Sequence, residues 1–250
     1  MSGHSKWSTI KRKKGAEDAK RGKIFTRLGR DVMMAAREGG SDESANPKLK
    51  LAIANAKAAN MPKDNIERAI KKGTGELDGG QMDEITYEGY GIEGIAFIVE
   101  VLTDNKNRSL ADIKHGFNKA GGNLATTGSV QWQFDQKGYI TIKSDGVDFE
   151  EAFMVAAEAG ADDVEEEGDI IVIYTPREMF GAVEREVSQA GYEIEESELR
   201  WEPQNETEVS VDKAIRNMRL LDHLEGLDDV QSVSSNLSIT DDVIAAYETA

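Results

Sequence analysis

The residues best suited to chemistry sit at the front of the chain. Lys6, Lys11, Arg12, Lys13, Lys14, Lys20, Arg21, Lys23 and Arg27 place nine cations within 22 positions, four of them consecutive, around a lone Trp7. Such a run suits one kind of work, the neutralisation of a phosphate backbone, because each lysine or arginine that meets a phosphate releases a condensed counterion. Contacts of that type give affinity and position without reading a base. Trp7 has two uses in this setting: it staples the arm onto a helical core, or it stacks on a base or ribose.

Other combinations lead elsewhere. "GYGIEG", Gly89 to Gly94, has the glycine spacing of a dinucleotide fingerprint. A strand rather than a helix should follow it, so no helix N-terminus meets a pyrophosphate and a turn needing glycine is expected instead. The three histidines, His4, His115 and His223, lie too far apart for metal-ligand spacing. Glu165, Glu166 and Glu167 with Asp169 read as a solvated turn between strands. With no cysteine, thiolate nucleophiles, disulfides and cysteine metal sites are excluded. No base, nucleophile and oxyanion site assemble from the sequence. The expectation is therefore a protein that is not an enzyme and uses no cofactor or metal; an enzyme with an inter-domain site is the alternative from another class.

Charge shows where the basic run belongs. The 250 residues carry a formal net charge of -17, yet residues 1–75 hold 18 Lys and Arg against 8 Asp and Glu, and residues 76–250 hold 12 against 39. A positive segment is thus set against acidic domains that repel the same polyanion. No apolar run is long enough to span a bilayer, and the N-terminus lacks the apolar stretch of a secretory signal. The expected location is the cytoplasm, with no membrane partner.

The elements that must carry these residues follow from periodicity. From Glu17 to Glu38, apolar Ile24, Phe25, Leu28, Val32, Ala35 and Ala36 recur at helical spacing, and Gly39-Gly40 should end the helix. A second helix is expected at Pro47 behind the cap candidate Asn46, burying Leu51, Ala52, Ile53 and Ala56 in part, and a third from Pro62 to Gly73. Past Gly80 the period changes to that of strands: "EITYEGY", "GIAFIVEVL", a helix over "NRSLADIKHGFNKAGG" with Leu110, Ile113, Phe117 and Ala120 inward, then a strand "GSVQWQF". "YITIKS", "DFEEAFMVAAEAG", Asp163–Glu166, "DIIVIYT", "REMFGAVEREVSQAG" and "YEIEESELRW" follow in the order βαββαβ, which is ferredoxin-like. The tail adds a strand "ETEVS", a helix "DKAIRNMRLLDHLEG" and a strand "VQSVSSNLSI". The expected fold is multi-domain, α and α+β: a basic helical bundle over 1–78, a discontinuous α+β domain over 79–135 and 204–250, and an acidic ferredoxin-like α+β domain inserted at 136–203.

Several stretches carry a resemblance. "GHSKWSTIKRKKGAEDAKRGKIFTRLGRDV", "ANPKLKLAIANAKAANMPKDNIERAIKKG", "YEGYGIEGIAFIVEVLTDNKNRS", "GGNLATTGSVQWQF" and the late "DDVQSV" resemble the signatures of the YebC/PmpR family. The resemblance implies a three-domain fold and a cytoplasmic DNA-binding transcriptional regulator. It also brings in mitochondrial relatives that activate translation of cytochrome oxidase, and bacterial members associated with ribosomes and with synthesis of proline runs. It marks Lys6, Lys11, Lys14, Lys20, Arg21, Lys23 and Arg27, with His4 and Trp7 beside them, as binding residues without catalysis. DNA and ribosomal RNA both suit a phosphate-led arm, so a DNA-binding regulator and a ribosome-associated translation factor stand as the two expectations for the partner.

Overall fold

The computed structural model describes Trp7, residues 18–78, Gly80 and residues 82–249, the side chains of residues 18–21, 23, 248 and 249 excepted. Three helices come first: α1 (Asp18–Gly39), α2 (Pro47–Ala58) and α3 (Lys63–Gly73). Their core joins Leu28, Val32, Met33 and Ala36 of α1 to Leu49, Ile53 and Ala56 of α2 and Ile66 and Ala69 of α3. Asn46 caps α2 by accepting from the Leu49 amide at 3.0 Å. Its amide group donates to Ala35 O at 2.8 Å and Gly40 O at 2.9 Å, so one buried side chain ties the end of α1 to the start of α2. Leu49 is the fully buried leucine of α2, and Leu51 is half-buried. Leu51 instead lines a cleft shared with other elements.

Two four-stranded antiparallel sheets follow, which gives the α plus α+β architecture expected from periodicity. The first has the order β3-β1-β2-β8, from β1 (Asp83–Tyr90), β2 (Ala96–Thr103), β3 (Asn123–Leu124) and β8 (Val230–Ser235). Helices α4 (Lys106–Ala120) and α7 (Val211–Glu225) cover one face. There Phe97, Val99 and Val101 of β2 pack on Ile113, Phe117, Met218 and Leu221. The alternate residues Ala96 and Ile98 meet Val130, Phe134 and Trp201 on the other face, so β2 is apolar on both sides and reads as a nearly continuous hydrophobic run. A closing helix, α8 (Asp241–Thr249), was not expected from the sequence; its Val243 joins the first sheet's core.

The second sheet has the order β5-β6-β4-β7, from β4 (Phe134–Lys143), β5 (Asp163–Glu167), β6 (Ile170–Pro176) and β7 (Ile194–Pro203). With α5 (Phe149–Glu158) and α6 (Phe180–Gln189) on one face this is the ferredoxin-like arrangement. Its first strand and its last, β4 and β7, pair from Phe134↔Pro203 to Ile142↔Ile194.

Four local expectations fail. Glu165, Glu166 and Glu167 lie within β5, with Glu167 buried, and not in a solvated turn. "GSVQWQF" contains a 3-10 turn over Gln131–Gln133, and only from Phe134 does the chain extend, as the start of β4. "ETEVS" forms no strand beyond a single bridge, Thr207↔Leu237. Leu110 is exposed, because the inner place on α4 goes to Ser109, whose hydroxyl reaches Thr103 and Asp229.

Candidate nucleic-acid interface

Of the ten expected binding residues, Lys6, Lys11, Arg12, Lys13 and Lys14 lie outside the described residues. Lys20, Arg21 and Lys23 fall in the first turns of α1, and their side chains lie outside the described part. The remaining two, Trp7 and Arg27, turn inward. Trp7 is 2% exposed and sits in the core of the first sheet's helical face, with Met218, Leu221 and Val243. Its indole donates to Glu225 Oε2 at 3.1 Å, and its ring meets Tyr247 edge-on at 5.7 Å. Packing, not a free stacking face, is what the fold assigns to this ring.

Arg27 donates through Nη1 to the Gln231 carbonyl at 3.1 Å. Burial disfavours its charge, but Glu198, Asp31 and Glu196 more than offset that and hold the guanidinium above its ordinary range. It thus serves the contact between α1 and the two sheets and does not face a phosphate.

This contact encloses a cleft of about 820 Å³, walled by α1, α2, β7 and the face of the first sheet opposite its helices. Carboxylates outnumber cations in its lining: Asp31, Glu84, Glu100, Glu195, Glu196 and Glu198 are present beside Arg27, Lys48 and Lys143. A polyanion is repelled from such a cleft, so this face of the helices is unsuited to phosphate. Asp31 feels the crowding directly. Burial, together with Glu198 and Glu84, raises its pKa to about 6 against the opposing pull of Arg27 and Arg30. The folded value lies above the unfolded 3.8, so the folded state holds the proton more tightly and loses stability as pH rises from about 4 to 6. Asp31→Asn should therefore be more stable than the wild type by about 1–2 kcal/mol at neutral pH, Asp31 being only partly shielded. Urea denaturation at several pH values checks this: the gain should vanish near pH 4, and a gain independent of pH would contradict it.

A second joint fixes α1 to the first sheet. The carboxylate of Asp229, 6% exposed, accepts from Ser109 Oγ at 2.7 Å, Thr103 Oγ1 at 3.0 Å and Arg108 Nη2 at 2.7 Å through Oδ2. Its Oδ1 accepts from Arg30 Nη2 at 3.0 Å, and Arg30 also donates to Asp228 O. Two signatures far apart in sequence, "TDNKNRS" and "DDV", meet at this one acid. Burial alone would raise the Asp229 pKa, but the donors from Ser109, Arg108 and Thr103 bring it below 3.8. The stability it contributes is present above that ordinary value and is lost as pH falls through the lower folded one. Asp229→Ala strands two hydroxyls and removes the anion between two arginines. It should lower stability by about 2–3 kcal/mol, seen as a shifted urea midpoint with an unchanged slope.

With Arg27 and Arg30 committed to these joints, and Arg37 donating to Gly80 O at 2.7 Å, the outward positive surface shifts to α2 and α3. Lys50, Lys57, Arg68, Lys71 and Lys72 are exposed and make no ion pair among the described residues. Lys48 pairs with Glu38 at 2.6 Å and Lys63 with Glu67 at 3.6 Å. Nothing in the helical spacing signals that Arg27 and Arg30 are spent on domain contacts.

The remaining candidate chemistry is dispersed. His115 and His223 are both exposed, and neither lines the acid-bearing cleft beside α1. Among the described residues no group of three or more His, Asp or Glu could hold a metal ion. "GYGIEG" forms the turn between β1 and β2: Gly94 has φ +75°, and a Cβ on Gly91 would lie 2.2 Å from Asn217 Oδ1. No described helix is long and apolar enough to cross a membrane.

Comparison with known proteins places this architecture. Residues 5–76 match the model of the TACO1/YebC protein N-terminal domain, and residues 82–237 match that of the TACO1/YebC second and third domain. The chain is 53% identical over 246 residues to a probable transcriptional regulatory protein of Desulforapulum autotrophicum, covering 98% of this chain and 100% of the relative. It is 49% identical over 245 residues to another, from Fusobacterium nucleatum, covering 98% of each. The crystal structure of a conserved hypothetical protein from Aquifex aeolicus is similar to it with a TM-score of 0.84 and 43% identity, over 90% of this chain and 93% of that one. Matched along nearly its whole length in sequence and in fold, the chain belongs to the TACO1/YebC family.

Proposed function

We propose that this protein is a non-enzymatic, cytoplasmic, DNA-binding regulator of transcription that docks through its basic N-terminal domain. The observation that carries the proposal is the segregation of charge: 18 cations against 8 acids in residues 1–75, and 12 against 39 in the remainder. A positive helical unit grips the phosphates while the acidic sheets keep the rest of the molecule off the duplex. The name shared by the relatives, probable transcriptional regulatory protein, supports the same reading.

Within this proposal the contacting residues are Lys6, Lys11, Arg12, Lys13, Lys14, Lys20, Arg21 and Lys23, widened by Lys50, Lys57, Lys71 and Lys72. The working division of the chain is 1–78, then 79–135 with 204–250, with 136–203 inserted. Contacts of this kind position the protein and leave sequence readout to shape or to a few base contacts. Crosslinking in cells, followed by sequencing of both bound DNA and bound RNA, tests it. Enrichment of discrete promoter DNA is the expected result; recovery of RNA alone would overturn the assignment to transcription.

A further inference from the structure

We infer that Trp132 is a stacking platform for an unpaired nucleobase, a second contact point remote in sequence from the basic domain. The inference rests on the nucleic-acid reading above and adds a strand preference to it. Among the described residues Trp132 is the most exposed of the large apolar side chains, at 70%, while the other two tryptophans are buried or half-buried.

The loop that presents this ring is firmly built. Buried Glu88, 2% exposed, accepts from the backbone amides of Gly128 at 2.6 Å, Val130 at 2.7 Å and Gln131 at 2.9 Å. Burial opposes the charge of Glu88, but these amides hold its pKa below the ordinary value, so the acceptor stays ionised. The Tyr90 hydroxyl donates to Ser129 O at 3.0 Å. The Trp132 indole donates to that same carbonyl at 3.0 Å, which fixes the ring relative to the loop. Val130 and Phe134, two positions to either side, are plugged into the core with Ala96 and Ile98. With its neighbours anchored inward, the ring between them is held outward and loses little freedom when a planar partner settles on it.

The surroundings select the partner. Residues 121–134, "GGNLATTGSVQWQF", contain no charged side chain although the chain carries -17 overall. The one carboxylate set against the loop, Glu88, is buried and spent on its amides, so the loop itself adds no exposed negative charge to repel a polyanion. Gln131 and Gln133 flank Trp132 in sequence and Thr126 and Ser129 lie in the same loop, all uncharged, and the other exposed large apolar residues, Ile24, Leu77, Leu110, Phe153, Met154 and Val211, lie on other elements. A lone aromatic face in an uncharged polar setting suits a base, since every base offers a π-face, and gives a protein partner no apolar patch to bury.

Full-length protein titrated with oligo(dT), oligo(U) and a duplex at low salt tests this, with affinity and tryptophan emission as readouts. Single strands should quench wild-type emission, and Trp132→Ala should weaken single-strand binding roughly tenfold, Trp132→Phe less, with duplex affinity unchanged. The dT and U arms distinguish DNA from RNA as the source of the base. If Trp132→Ala binds single strands as the wild type does and emission does not move, the inference falls while duplex binding leaves the proposed function standing. If the wild type binds neither strand nor duplex, both fall together.

Discussion

Replacing Trp7 by alanine is expected to lower the stability of the protein by about 3–5 kcal/mol, the cost of emptying a buried aromatic site. The indole is 2% exposed, packs with Met218, Leu221 and Val243, meets Tyr247 edge-on and donates to Glu225. Truncation removes the apolar contact area, opens a cavity in the helical face of the first sheet, and leaves the Glu225 carboxylate one donor short. Trp7→Phe should recover most of the packing and lose only the hydrogen bond. Urea denaturation of the three proteins reads the effect directly. A Trp7→Ala protein as stable as the wild type but deficient in nucleic-acid binding would mean that this ring stacks on a base and that its packing is dispensable.

The second large effect concerns binding. Changing Lys11, Arg12, Lys13 and Lys14 together to glutamate should reduce affinity for duplex DNA roughly a hundredfold at about 0.1 M salt. The same variant should flatten the plot of log affinity against log salt by about three to four units, since each lost phosphate contact removes nearly one released counterion. Its urea midpoint should stay near that of the wild type, which separates a binding defect from a folding one. As a paired control, reversing Lys71 and Lys72 should give a smaller loss of the same kind, the proposed surface having its centre in the N-terminal run. An affinity and salt slope unchanged by the fourfold reversal would remove the N-terminal run from the interface.

The helices and most strands were legible in the sequence because their signals are local. Asn46 before Pro47, Gly39-Gly40 after the α1 stripe, and alternation in β1 and β4 depend on neighbours within a few residues. The ferredoxin-like order was legible for the same reason: each of its elements is bounded by turn residues, and the βαββαβ sequence restricts how such a sheet can be assembled. What stayed hidden depends on partners far along the chain. "GSVQWQF" has the β-branched and aromatic content of a strand, yet Glu88, some forty residues earlier, draws three of its amides into a turn. Leu110 yields its inner place to Ser109 because Asp229, 120 residues away, needs a hydroxyl there.

The candidate site divides in the same way. Clustered cations and the imbalance between the two parts of the chain are properties of composition and could be read directly. The inward turn of Arg27 and Arg30 could not, since on a helical wheel they share an arc with lysines that would face water. Their partners, Gln231, Asp228 and Asp229, lie about 200 residues away. The structure thus places Arg27 and Arg30 in acid-bearing joints with the sheets and leaves the exposed, unpaired cations among the described side chains of the first three helices on α2 and α3.

The central claim is that a positive N-terminal domain carries an otherwise acidic protein onto nucleic acid. It is tested most directly by the equilibrium affinity of the full-length wild-type protein for duplex DNA, measured across a salt series. The account predicts tight binding at low salt and a linear fall of log affinity with log salt, with a slope of about five or steeper. No measurable binding at low salt, or a slope near zero, would contradict it.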